Sequence, residues 1–226
     1  MGGGELVLWD PEAAAVVLAG TMLATLLGQG WSNLRLALRQ AAALLRPGLD
    51  AAANRSALAR VLYAIKRDGR HRTEAALPPD PPLAEIVAAY LRLGETAHLH
   101  AALLAQRDAG RAERRQAVMA WRCAGELAPV AGLAGTLYAI IGLVPDDGAG
   151  LAQSTAEAIA TAAVSTLYGL ALAHLVCLPL AGAIARRGMA QEATRERLAR
   201  WFEAQLPPAR GLGPAQPKPP VLVEAA

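Results

Sequence analysis

Residues 158–182, AIATAAVSTLYGLALAHLVCLPLAG, contain no Asp, Glu, Lys or Arg. A helix needs about 20 residues to cross the hydrocarbon core of a bilayer, so this run is long enough to span one. Two further runs, 13–28 and 127–144, share its character. All three are rich in Ala, Leu and Gly. Small residues let helix backbones approach closely, which is how membrane helices associate once lipid removes the hydrophobic drive between them.

Charge fixes the topology. All 22 Lys and Arg residues fall in two segments, 15 within 35–122 and seven from Arg186 onward. The first twelve residues, the three apolar runs and the 145–157 connection contain none. Under the positive-inside rule, the basic loop and tail face the cytoplasm, while the N-terminus and the 145–157 connection face the other side. The expected fold is all-α: an integral membrane protein with three transmembrane helices and a helical cytoplasmic region. Residues 1–30 make an external N-terminus and first span, 31–124 a cytoplasmic helical region, 125–185 a membrane helix pair, and 186–226 a cytoplasmic helix with a disordered, Pro-rich tail.

The bulk numbers agree. Apolar residues make up 54% of the chain, yet only nine residues are aromatic. The net charge of +3 does not point to nucleic acid, because the basic residues lie beside membrane spans, where anionic lipid accounts for them. The first run is not expected to be a secretory leader, because Glu5, Asp10 and Glu12 precede it and no basic segment does. MGGGEL lacks the Ser or Thr at position six that myristoylation requires. Cys123 and Cys177 have no CxxC spacing and read as small apolar packers.

Asp10 is an N-cap candidate for the first span, with Pro11 in its first turn, and Trp31 sits where interfacial tryptophans are common. Ser32–Leu45 then reads as a separate amphipathic helix stopped by Pro47-Gly48. A second helix is expected over Ala51–Arg67. Leu77–Pro82 reads as a rigid loop, and Leu83, Ile86, Val87, Tyr90 and Leu91 recur at helical spacing beyond it. That helix, or a pair broken near Asp108–Gly110, leads into the second span. The third span is expected to stop at Arg186-Arg187, with a last helix over Ala190–Leu206.

No intramembrane Asp, Lys or Arg is available to relay protons, so a titrating carboxylate would have to come from elsewhere. The spans do offer hydroxyls, at Thr136, Ser165 and Thr166, which could order water along a polar path. The ordinary alternative is that each bonds its own preceding turn. Pro129 and Pro179 each delete a backbone hydrogen bond and should kink their helices, if they are not merely tolerated. His174 reads as a packed histidine bonded to a neighbouring subunit, with a titrating role as the alternative. His98 and His100 fall on different helix faces, so no metal pair is expected. Phosphate loops, catalytic triads and paired catalytic carboxylates are missing, and enzyme activity is not expected.

Leu127–Gly142, LAPVAGLAGTLYAIIG, resembles the Ala-Pro-x-x-Gly-x-x-Gly-Thr segment of the MotA/TolQ/ExbB proton-channel family. Ser165–Ala181, STLYGLALAHLVCLPLA, is similar to the Thr-Thr-Leu-Tyr-Gly…Leu-Pro segment of its flagellar stator branch, and Asp10–Leu26 to the second transmembrane helix of that branch. The likeness covers most of residues 3–187. It implies a proton-conducting stator subunit that couples ion flow, H⁺ or Na⁺, to flagellar rotation in the bacterial inner membrane. It implies a homopentameric ring around a MotB-like partner (ExbD- or TolR-like in other branches) that supplies the membrane aspartate, with a FliG-like rotor protein outside the membrane. No cofactor beyond the coupling ion is implied.

Carried onto this chain, Thr166 faces the partner carboxylate, Thr136 helps to line the path beside Ser165, and Pro129 and Pro179 match prolines tied to conformational coupling. Lys66–Glu74, KRDGRHRTE, resembles the stretch that carries rotor-facing charges, with Lys66 and Glu74 at the basic and acidic positions. As solvated loop charges they would need no such role. The sequence holds three spans where the stator branch has four, so either the true start lies upstream and adds a fourth span or the arrangement has three spans as in ExbB and TolQ; His174 stands in place of Asn. An ExbB/TolQ-like energiser of outer-membrane transport or envelope maintenance, and a non-conducting membrane scaffold, are the alternative functions.

Overall fold

The computed structural model describes residues 10–69, 76–94, 96–141 and 151–206. Among them all regular structure is helical: α1 (Pro11–Ala43), α2 (Ala51–Asp68), α3 (Pro81–Leu93), α4 (Thr96–Ile141), α5 (Leu151–Ala171), a π-helical turn (Leu172–Cys177) and α6 (Leu178–Gln205). Three helical segments, Pro11–Ala43, His98–Ile141 and Ala158–Gln205, are long and apolar enough to cross a membrane. The chain is a multi-pass membrane protein. The 145–150 part of the expected external turn, Glu74 and the tail beyond Leu206 lie outside the described residues.

Local chemistry sets the helix starts. The Asp10 carboxylate accepts from the backbone N–H groups of Glu12 and Ala13, each at 3.0 Å, satisfying two of the donors that a helix leaves free. Asp50 does the same for α2 through Ala52 and Ala53. Asp80 caps α3 through Leu83. Pro81 and Pro82 therefore belong to the first turn of α3, where proline's missing N–H costs nothing, and the loop ends at Asp80.

The first span and the amphipathic helix are two helices, as expected, that meet in a kink at Gly30 (φ 77°, ψ 161°). That conformation suits glycine alone, and the Asn33 side chain bridges the break by donating to the Gln29 carbonyl at 2.9 Å. α4 runs 46 residues straight through Asp108–Gly110, because one interior glycine costs a helix only about 1 kcal/mol. At the other end, the helix of the third span continues past Arg186-Arg187 into the expected last helix, as far as Gln205. Arg187 donates to the carbonyls of Leu44 and Arg46 beyond the end of α1, at 2.8 and 2.7 Å.

The described residues fall into two compact units, 10–48 with 108–192, and 49–107 with 193–206. In the second unit Leu58, Val61 and Ile65 of α2 pack with Leu83, Ile86, Val87 and Tyr90 of α3, and Phe202 of α6 completes the core. Tyr90 and Phe202 meet edge to face at 6.1 Å. Buried Asn54 accepts from the Asp80 N–H at 3.1 Å. The Arg195 guanidinium donates two 2.8 Å bonds to the Asp80 carboxylate. In the first unit α1, α4 and the end of the third span meet around Ala37, Ala117, Ala120 and Ile184. There the Trp121 indole N–H donates to the Ala37 carbonyl at 3.1 Å. Glu192 pairs with Arg111 and Arg114. Both cysteines are free, Cys177 buried and Cys123 partly so.

Candidate functional site

Gly132 and Gly135 of the second span, with Gly169 of the third, let two backbones approach closely. A Cβ added to Gly132 would lie 2.9 Å from the Ser165 carbonyl oxygen, and one added to Gly169 would lie 2.6 Å from the Ala128 carbonyl oxygen. Both distances are shorter than carbon and oxygen can tolerate without a shift of the chain. Gly135 faces Ser165 in the same way, with its Cβ position 3.1 Å from that of Ser165. The repeat Ala128, Gly132, Gly135 on α4 against Ser165 and Gly169 on α5 therefore forms a seam of close backbone contact.

Ser165 lies on that seam. It is 1% exposed, and its hydroxyl is 3.1 Å from the Gly132 carbonyl and 3.0 Å from the Ala162 carbonyl, donating toward both. Thr166, half-buried, donates to the Ala162 carbonyl at 3.3 Å. Its Cα is 3.3 Å from the Gly132 Cβ position, so it flanks the same contact. Thr136 follows Gly135 and donates to the Leu133 carbonyl at 2.6 Å. The structure thus gathers Ser165 and Thr166 at one crossing of α4 and α5. Thr136 stands one helical turn along α4 from Gly132.

The two prolines occupy different settings. Pro129 is inside α4, which continues through it, and its Cα is 3.2 Å from the Gly169 Cβ position. It is part of the seam, one turn from Gly132. Pro179 follows the π turn Leu172–Cys177, whose wide ladder closes with the Leu178 N–H donating to the Ala173 carbonyl. A proline removes one i to i−4 bond and displaces the carbonyl beneath its ring, and a π turn is a common way for a helix to absorb such a change. His174, in that turn, is exposed within the chain.

Two features escaped the sequence. Thr21 and Thr25 of α1 are 4% and 2% exposed, and each donates to the carbonyl four residues earlier at 2.7 Å. Their i, i+4 spacing in an apolar run, which puts both on one helix face, was the available signal. The Tyr168 hydroxyl accepts from the Asp10 N–H at 3.0 Å and so ties the start of α1 to α5. No spacing rule forecasts a contact between residues so far apart in the chain.

Lys66 is exposed in the last turn of α2. Its neighbour Arg67 lies over the Tyr63 ring and forms a two-pronged ion pair with Asp68 at 2.8 Å. The hydrogen bond from Arg67 holds the Asp68 carboxyl below its ordinary range, and the Asp68 bond in turn raises Arg67. Glu74 lies outside the described residues. Among the described residues no three His, Cys, Asp or Glu side chains cluster as metal ligands would.

The family model of the MotA/TolQ/ExbB proton channel family matches residues 80–197. No curated protein matches the sequence. Among solved structures, the MotAB structure of C. jejuni contains a chain 16% identical in sequence. The match covers 90% of this chain and 80% of that one, with a TM-score of 0.74. The flagellar MotAB stator complex of Bacillus subtilis matches at 18% identity over 88% of this chain and 79% of its own, with a TM-score of 0.72. These likenesses establish a shared fold.

Proposed function

The chain belongs to the MotA/TolQ/ExbB proton channel family, and from that membership we propose that it is a proton-conducting stator subunit of the MotA type. In this reading it couples ion flow to flagellar rotation in the bacterial inner membrane, with its N-terminus outside and its C-terminus in the cytoplasm. A homopentamer surrounds a MotB-like single-span partner and drives a FliG-like rotor protein.

One observation carries the proposal: a hydroxyl-bearing helix crossing, Ser165 and Thr166 over Gly132, in apolar runs (127–144 and 158–182) that contain no acid of their own. A proton route through such spans needs a carboxylate from a partner, and the seam supplies polar atoms beside which that group can sit. Thr166, with Ser165 and Thr136, lines the route. Pro129 and Pro179 set the two conformations, because each interrupts the hydrogen-bond ladder of a helix that carries the path. Protonating the partner removes a charge that the ring must otherwise accommodate. A unit charge crossing 100 mV releases about 2.3 kcal/mol, enough to bias a low-barrier step. Lys66 and Glu74 present charge to the rotor.

The fold shared with the MotAB structures supports the stator branch. The test is a clean deletion in the native host, with filaments checked by microscopy. Filamented cells that do not swim, and that recover with the wild-type gene but not with Thr166→Val, are expected. Normal swimming after deletion would overturn the stator reading.

A further inference from the structure

The apolar run 158–182 contains one side chain that ordinarily changes charge near neutral pH, His174. It stands in the π turn Leu172–Cys177, and π turns inside α-helices occur frequently at functional sites. Its ring is exposed and makes no hydrogen bond or ion pair among the described residues. No contact within the subunit holds it.

Helical spacing shows which way it points. Leu172 and Val176 face α1 across an apolar groove, together with Ala120 and Ala124 of α4. His174 is two residues from both Leu172 and Val176, which turns it to the side away from α1. Arg122 and Glu126 each stand two residues from Ala124, so α4 turns them to that side as well. The two helices are close at this level: a Cβ on Gly125 would lie 3.4 Å from that of Cys177. Arg122 and Glu126 are exposed like His174, and no ion pair joins any two of the three. From α1 the groove receives only apolar side chains and the hydroxyls of Thr21 and Thr25. Toward the seam, Thr166, Leu170 and His174 follow at four-residue intervals, which puts them along one side of the span. Eight residues of helix rise about 12 Å. His174 therefore follows Thr166 on the way to the cytoplasmic end, with Glu126 on the facing helix.

We propose that His174 is a proton acceptor supplied by this chain, placed between Thr166 and the cytoplasm. This rests on the stator reading, which provides the proton: it leaves the carboxyl of the MotB-like partner beside Thr166. Through intervening water, a ring nitrogen of neutral His174 accepts it, so the carboxylate is restored and the ring becomes imidazolium. Water from the cytoplasmic end then takes the proton and returns the ring to its neutral form. Glu126 favours the transient positive charge and Arg122 opposes it. The Asn of the stator pattern could order water at this position but could not carry the charge.

The first test compares wild type with His174→Asn in the native host. Tethered cells are held in a permeant weak acid that equalises internal and external pH. Rotation speed is divided by the membrane potential, read from a dye. Wild-type speed per millivolt should fall about tenfold between pH 8 and pH 5, as imidazole gains charge and can no longer accept. His174→Asn should rotate more slowly at pH 8 and lose most of that dependence, at an unchanged level of protein in the membrane. A histidine that only packs would leave the profile alone, so parallel profiles would overturn the proposal. The second test needs no rotation. His71, His98 and His100 are replaced by Gln in the full chain, which leaves His174 as the single histidine. Its ring signals are followed by NMR in the purified protein. A change of charge between pH 5 and pH 8 is expected, and a ring that keeps one charge state throughout would overturn the proposal. This arm decides if His174→Asn fails to assemble. Deletion cells that swim normally would overturn the stator reading, and the ring titration would then judge His174 by itself.

Discussion

Ser165 reaches across the α4–α5 contact to the Gly132 carbonyl, at 3.1 Å, from a position with 1% exposure. The hydroxyl is held where two backbones touch, so its loss should be felt as stability before it is felt as conduction. Ser165→Ala removes the bond without adding bulk, and interhelical hydrogen bonds in membranes average about 0.6 kcal/mol. We expect a small fall in the thermal midpoint of the purified complex. Ser165→Val, which adds volume at the same crossing, should cost more. Equal midpoints for the two variants would contradict this geometry.

Gly169→Ala should be far more damaging. Its Cβ would fall 2.6 Å from the Ala128 carbonyl, a backbone atom that cannot rotate away. Overpacking of this kind costs about 1–3 kcal/mol. Gly20→Ala is the matched control, because its Cβ would meet the Ala131 methyl at an ordinary 3.4 Å. Thermal denaturation in one detergent should show a large loss for Gly169→Ala and almost none for Gly20→Ala.

Pro179→Ala restores an N–H donor to the helix just after the π turn. The variant should assemble and melt no lower than wild type. If Pro179 serves coupling, swimming speed should nevertheless fall. A variant that swims normally would reduce Pro179 to a tolerated substitution.

Asp80 does two things at once, capping α3 and receiving both prongs of Arg195. Hydrogen bonds to a charged group contribute about 1.5–3 kcal/mol. Asp80→Asn keeps an oxygen for the cap but loses the ion pair, so it should lower stability by a substantial part of that amount. Asp80→Ala should lower it further. Chemical denaturation followed by Tyr90 and Trp201 environment would separate the two.

The Arg67–Asp68 pair makes a pH prediction with a definite sign. Hydrogen bonding from Arg67 depresses the Asp68 carboxyl in the folded chain. Its small stabilisation is therefore present above the unfolded carboxyl's ordinary range, and is lost as pH falls through the depressed folded value. Arg67→Gln should move the Asp68 titration upward, as read by NMR of the carboxyl carbon. The pair is exposed, so overall stability should barely change.

Membrane class, the number of candidate spans and the starts of α1 and α2 could be read from the chain, because each rests on a short-range rule. Charge-free runs long enough to span a bilayer gave the spans, and Asp10, Asp50 and Asp80 stand where caps must stand. Gly30 and Gly110 could not be told apart on paper. Both are single glycines between apolar and charged segments, yet one takes a positive φ and the other stays helical. Tertiary packing decides between those outcomes, and no local pattern records it. Arg186-Arg187 suggested a separate last helix for a related reason: a basic pair marks where a span leaves the bilayer, not where its helix ends, and α6 runs on through both. The seam was partly visible as Gly132, Gly135 and Gly169, whereas its pairing with the Ala128 and Ser165 carbonyls required coordinates.

The hydroxyls of Thr136, Ser165 and Thr166 all spend their single proton on a backbone carbonyl. What remains on each oxygen is lone-pair density alone. A path built from such atoms is electronegative without bearing a formal charge. If these atoms line the proposed ion path, hydronium or a bare cation would find acceptors on this chain's side of it, and chloride would find no donor there.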